Sequence, residues 1–86
     1  MGKHQTLLWI ILRGRADANT RFADLQSLLL DLGFVERISG SHHIFRREGV
    51  RELINLQREG NKAKVYQVRQ IRRILLRYGL GELPDD

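Results

Sequence analysis

The sequence predicts an α+β fold of two layers, with helices packed on one face of a small antiparallel sheet. Three observations predict it. Residues 22–32 and 66–78 carry apolar side chains at helical spacing, residues 34–57 change to a strand-and-turn texture, and the chain has only 86 residues. A chain of that length allows one domain with one modest core, here taken as residues 1–86. Helices before and after three short strands have few ways to bury their apolar sides, and stacking on one sheet face is the simplest. The other face of the sheet is then open to solvent or to a partner.

The first element is ambiguous. Thr6–Arg13 (TLLWIILR) shows no clear period and suits a buried strand or a short helix. Gly14 breaks the run, and Arg15–Thr20 reads as a loop with Asn19 or Thr20 as the cap of the next helix. Phe22, Leu25, Leu28, Leu29 and Leu32 then follow the i, i+3, i+4, i+7 pattern, and Asp24 falls in the first turn, where a negative charge suits the helix dipole. Gly33 marks the end of this helix.

Phe34–Ile38 mixes aromatic, β-branched and charged residues and reads as a first strand, closed by the turn signal Ser39-Gly40. Ser41–Arg46 is a second strand. Glu48-Gly49 makes a turn, and Val50–Gln57 alternates as a third strand, with Ile54 and Leu56 on one face and Leu53 and Asn55 on the other. Arg58–Lys64 is read as a polar, basic loop. From Tyr66 the helical period returns: Val68, Ile71, Ile74, Leu75 and Tyr78 share one face, with Arg69, Arg72, Arg73 and Arg77 roughly opposite, and Gly79 ends the helix. Residues 82–86 form an acidic tail expected to trail off.

Charge and composition narrow the function classes. Residues 34–81 hold eleven Lys/Arg against four Glu, a net of +7, whereas residues 1–33 are near +1 and the tail is −3. Twelve of the fifteen cations are Arg, which binds phosphate through a planar fork. Such a stretch points to a polyanion, with nucleic acid first. There is no Cys, so disulfides and thiolate chemistry are excluded. No phosphate-cradling glycine motif is present, and no D-x-D or E-x-x-H sets acidic residues on one face, which gives no support for a metal-dependent nuclease site. The longest apolar run, Leu7–Leu12, is far too short to span a membrane, so a cytoplasmic protein without a small-molecule cofactor is expected.

His42 and His43 are the candidates for chemistry. Neighbours in a strand point to opposite faces. Phe45 is the core residue of Ser41–Arg46, so His43 shares its face, and His42 lies on the other with Ile44 and Arg46. His42 is therefore expected to be exposed. Cleaving RNA without a metal needs a base for the 2′-hydroxyl, an acid for the leaving oxygen, and cations for the charge that builds on phosphorus. An imidazole suits proton transfer near neutral pH. Arg37, Arg46, Arg47, Lys62 and Lys64 could supply the positive field, Tyr66 a base-stacking ring beside the basic loop, and Gly40 a close approach of backbone to phosphate. Against this, His42 also reads as a polar residue at a turn, His43 as a half-buried histidine bonded to backbone, and the Arg69/Arg73/Arg77 stripe as a solvated helix face.

These same residues carry a resemblance. Phe22-x-x-Leu25-x-x-Leu28-Leu29-x-x-Leu32-Gly33-Phe34, Gly40-Ser41-His42-His43-Ile44-Phe45 and Tyr66-Gln67-Val68-Arg69-Gln70-Ile71-Arg72 together resemble the HicA toxins, small mRNA interferases also known as YcfA-like proteins. The resemblance runs from about Phe22 to about Leu76. It implies an α-β-β-β-α fold similar to a double-stranded-RNA-binding domain, with core residues of about 20–79. Residues 4–13 resemble the extra leading helix of a subgroup. It further implies a metal-independent endoribonuclease that cuts mRNA, with His42 as its catalytic histidine, Gly40, Ser41 and His43 around it, and a HicB-type antitoxin covering the site. The loop Leu56–Gly60 departs from the Pro/His-containing stretch of many relatives, which leaves RNA contacts there open. The alternative is a non-catalytic RNA-binding module of the same fold.

Overall fold

The computed structural model describes residues 3–80, so the acidic tail expected at 82–86 lies outside the described residues. The elements run α1 (Lys3–Arg13), a 3-10 turn (Asp17–Asn19), α2 (Phe22–Asp31), β1 (Val35–Ser39), β2 (His42–Arg46), β3 (Ile54–Leu56), β4 (Arg58–Glu59), β5 (Lys62–Ala63) and α3 (Val65–Tyr78). β1, β2 and β3 form an antiparallel meander in that order, and β4 pairs with β5 in a separate ribbon. This is the expected α-β-β-β-α arrangement with an added leading helix.

One core joins the layers. Phe22, Leu25, Leu28 and Leu29 of α2 meet Val68, Ile71, Ile74 and Leu75 of α3 over Phe45, Ile54 and Leu56 of the sheet, and Leu8 and Ile11 of α1 complete it. The helix ends follow one chemistry. After α2, Gly33 takes φ +95, its N–H donates to Leu30 O, and the N–H of Phe34 donates to Leu29 O at 3.0 Å while the Phe34 ring enters the core. A side chain with a Cβ would resist that left-handed backbone. The same pair of hydrogen bonds closes α1 at Gly14-Arg15 and α3 at Gly79-Leu80.

Four expectations need correction. Neither Asn19 nor Thr20 caps α2: Arg21 holds that position, and Thr20 Oγ1 instead donates to Ala16 O at 2.8 Å, closing the 3-10 turn. The first N–H of α2, on Phe22, donates to Asn61 O at 3.0 Å, so the neighbouring ribbon does the work of a cap.

The third strand is shorter than Val50–Gln57. Only Ile54–Leu56 pair with β2, because the Arg51 N–H donates to Tyr78 Oη at 3.3 Å and Tyr78 in turn donates to Glu52 Oε1 at 2.6 Å. That clamp holds residues 51–52 on α3 and off the sheet.

Residues 58–64 are not a loop throughout. Arg58–Glu59 and Lys62–Ala63 pair around Gly60-Asn61, and the ribbon reaches residues 20–22 through an Arg21–Lys62 bridge and an Ala63 N–H to Thr20 O bond of 2.9 Å.

The arginine stripe of α3 is not simply a solvated face. Arg72 Nη1 donates to Asp17 Oδ1 at 2.8 Å and to Ile11 O at 3.3 Å, and Arg69 Nε reaches Asp17 at 3.3 Å. Arg77 Nη1 donates to Glu52 at 3.1 Å.

Candidate active site on the open sheet face

Residues paired across an antiparallel ladder share a face, so the register assigns every side chain. Ser39 pairs with His42, Arg37 with Ile44, Val35 with Arg46, and Ile44 with Asn55. These residues form the open face. Glu36 pairs with Phe45, Ile38 with His43, and His43 with Leu56, which places them on the helix side. The period-two reading of the two histidines therefore holds: His42 is exposed and His43 is half-buried.

His42 opens β2 directly after the Gly40-Ser41 turn. Gly40 has φ +61, and a Cβ added there meets no atom within 4 Å, so the turn faces open space. The imidazole is held on both sides. Its Nδ1 lies 3.1 Å from Asn55 Oδ1, and its Nε2 lies 3.4 Å from Gln57 Nε2. An amide oxygen accepts and an amide nitrogen donates, so this arrangement fits the neutral ring with the proton on Nδ1 and the lone pair on Nε2. Gln57 is itself fixed, because its backbone N–H donates to Oε1 of the buried Gln67 at 3.0 Å. The end of β3 is thereby tied to the first turn of α3.

His43 has a different neighbourhood. Its Nδ1 donates to Glu36 Oε2 at 2.7 Å, and Gln26 Nε2 donates to the same oxygen at 2.7 Å. The partner is a carboxylate, not the backbone group expected. The ring stands edge-on to Phe22 with centroids 4.7 Å apart, and the side chain is only 16 % exposed. His43 is a clamp between sheet and α2, on the far side of the strand from His42.

The cations divide by distance. Arg37 shares the open face with His42 on the adjacent strand. Arg46 shares it too, but four residues away, about 13 Å along the strand at the usual rise per residue. Arg47 lies beyond β2, its guanidinium nitrogen 3.3 Å from where a Cβ on Gly33 would stand, at the opposite end of the sheet. Lys62, Lys64 and Tyr66 lie near the His42 end, on the ribbon and the start of α3; Lys62 Nζ donates to Asn19 Oδ1 at 3.0 Å, and Tyr66 is 60 % exposed. Between Arg37 and Arg46 lies a groove of about 380 Å³, lined also by Val35, Ile44 and Leu53.

Four residues that matter here escaped the sequence reading: Asn55, Gln57, Glu36 and Arg58. Asn is disfavoured in strands, so an Asn between Ile54 and Leu56 was a usable signal. Arg58 sits with its guanidinium 4.5 Å from the Phe22 ring centroid, one ring away from His43. Among the described residues no group of three or more His, Cys, Asp or Glu side chains could hold a metal ion, and no helix is long and apolar enough to cross a membrane.

No curated protein and no solved structure matches the chain. A family model does, described as the HicA toxin of bacterial toxin-antitoxin systems, over residues 22–77. The matched stretch begins at α2 and ends within α3, so it contains the whole sheet and the face that carries His42. With more than half of its length matched, the chain belongs to the HicA toxin family of bacterial toxin-antitoxin systems.

Proposed function

We propose that this toxin is an endoribonuclease that cleaves mRNA without a metal ion, with His42 as its proton-transfer group. The observation that carries the reading is an exposed imidazole on the open face of the sheet, placed so that Nε2 carries a lone pair. RNA lying across the Ser39–Ser41 turn brings a 2′-hydroxyl to Nε2 in place of the Gln57 amide. Nε2 takes the hydroxyl proton, the 2′-oxygen attacks phosphorus as the bond to the 5′-oxygen breaks, and the leaving 5′-oxygen takes a proton from solvent water, giving a cyclic phosphate and a free 5′-hydroxyl. Arg37 is the nearest cation on the same face for the charge that develops on the phosphate oxygens. Lys62, Lys64 and Tyr66 serve the flanking nucleotides. A HicB-type antitoxin that covers this face would block the reaction, and the cytoplasm is where mRNA would be met.

The test is cleavage of an in vitro transcribed, 5′-labelled mRNA by the purified chain in the presence of a chelator. Activity is expected to persist with the chelator and to fall by about 10²-fold or more in His42→Ala, the lower range for loss of a general acid–base group. Circular dichroism should show the variant folded, since His42 is exposed. Undiminished cleavage by folded His42→Ala would refute the assignment. RNA binding without cleavage by the wild type would favour the non-catalytic module.

A further inference from the structure

We infer that Asn55 is the positioning residue of this site: it fixes His42 as the Nδ1–H tautomer and so determines that Nε2 is the nitrogen offered to substrate. The inference rests on the reading of His42 as the proton-transfer group and extends it to a residue that no motif marks. A neutral imidazole has two tautomers, and the hydrogen bond made by one nitrogen decides which form is held. Asn55 and His42 sit on adjacent strands and on the same face, one diagonal step apart in the register. The Asn55 oxygen is 3.1 Å from Nδ1 and can only accept, so the proton belongs on Nδ1. Gln57 meets the other nitrogen through its amide N–H at 3.4 Å, a longer contact that a substrate hydroxyl can replace. The two amides are consistent with one tautomer and inconsistent with the other. Asn55 projects from the ladder itself, between the buried Ile54 and Leu56, whereas Gln57 lies just past the strand end with its backbone N–H held by Gln67. The short contact is the one that selects the tautomer, and the long contact is the one a substrate hydroxyl replaces.

The experiment reads the tautomer and the rate separately. Long-range ¹⁵N correlation spectra of the full chain report which imidazole nitrogen of His42 bears hydrogen, with or without RNA cleavage. The wild type is expected to show Nδ1–H. Asn55→Ala is expected to lose that preference and to lower kcat on the labelled mRNA about 10- to 100-fold, the scale known for partners that orient metal-bound histidines and applied here to a free imidazole, with KM little changed. Asn55→Asp keeps an acceptor at the same place and is expected to retain the Nδ1–H tautomer. Because Asn55 is exposed, these variants should fold, and circular dichroism checks it. A wild-type His42 protonated on Nε2 alone, or an Asn55→Ala protein with unchanged tautomer and unchanged kcat, would overturn the inference while leaving the ribonuclease reading in place. Conversely, a wild type with the Nδ1–H pattern that never cleaves RNA would overturn the ribonuclease reading and leave the hold of Asn55 on the ring standing.

Discussion

Gly40 sits at φ +61 in the turn that leads into His42, with open space where a Cβ would be. Two effects of substitution can therefore be separated. Placing an ordinary residue in left-handed backbone costs about 1–2 kcal/mol, and Asn bears it better than Ala. If the turn matters only through strain, Gly40→Ala should lose stability by about that amount and Gly40→Asn by less, with RNA cleavage following stability. If a phosphate must approach this backbone, both variants lose cleavage to a similar degree, because the obstacle is the Cβ they share. Urea midpoints and initial rates measured on the same preparations distinguish the two. On the other side of β2, Glu36 accepts hydrogen bonds from both His43 and Gln26 and is largely shielded. Glu36→Ala leaves those partners without their acceptor, and a loss of about 1–3 kcal/mol is expected in the thermal melt. The cleavage rate of the folded protein should stay near that of the parent, since His43 faces away from His42. A strong loss of rate in the folded variant would shift the chemistry toward the His43 side.

At the scale of elements, the contact between α1, the 3-10 turn and α3 runs through Asp17. Hydrogen bonding from Arg72, its charge and then Arg69 hold the Asp17 carboxyl below its ordinary value of 3.8, against the opposing effect of desolvation. A carboxyl with a depressed folded pKa contributes stability that is complete above the unfolded value and is lost as pH falls through the folded one. Asp17→Asn should thus be less stable at neutral pH by about 1–3 kcal/mol, and its stability should decline less steeply below about pH 4. Denaturant titrations of both proteins at neutral and acidic pH check this. Some acid dependence remains in the variant, because Glu52 is also held below its ordinary value, chiefly by the Tyr78 hydroxyl. Such long-range clamps explain what the sequence could and could not disclose. α2, α3 and their glycine stops were legible because each depends on residues three or four apart. The faces of His42 and His43 were legible because a strand has period two. The start of the third strand was not, since Arg51 gives its N–H to Tyr78, 27 residues away. The β4–β5 ribbon is too short to show alternation, although Gly60-Asn61 is a two-residue turn signal. α1 looked aperiodic because Trp9 and Ile10 fill its outer face, where Arg13 and Arg15 cover the Trp9 ring at 5.2 and 5.7 Å. Asn55, Gln57 and Glu36 became partners of the histidines only through register, which no local pattern encodes.

Over the whole molecule, the net charge of +5 conceals a division of labour among the cations. Arg69 and Arg72 share the single charge of Asp17, and Arg77 faces Glu52, so about half of the positive charge of the α3 stripe is matched by carboxylates of the chain itself. Arg37 lies on the open face, and Lys62 and Lys64 lie on and just after the ribbon that follows β3, while Arg46 and Arg47 lie toward the other end of the sheet. Binding of single-stranded RNA should then show a linear fall of log affinity with log salt, with a slope of about 0.7 for each phosphate neutralised. On the proposed mechanism, His42→Ala allows binding to be measured without cleavage. In that background Arg37→Gln and Lys64→Gln should each weaken binding and reduce the slope by roughly 0.7. Arg77→Gln should leave the slope unchanged, because its charge is already matched by Glu52. Arg46→Gln and Arg47→Gln measure the length of the path: a reduced slope means RNA continues along β2 for the further ~13 Å to its end, and an unchanged slope means that the RNA contact ends at the turn. Equal effects from all five substitutions would show a diffuse positive surface with no defined track, and would remove the geometric basis for placing the scissile phosphate at His42.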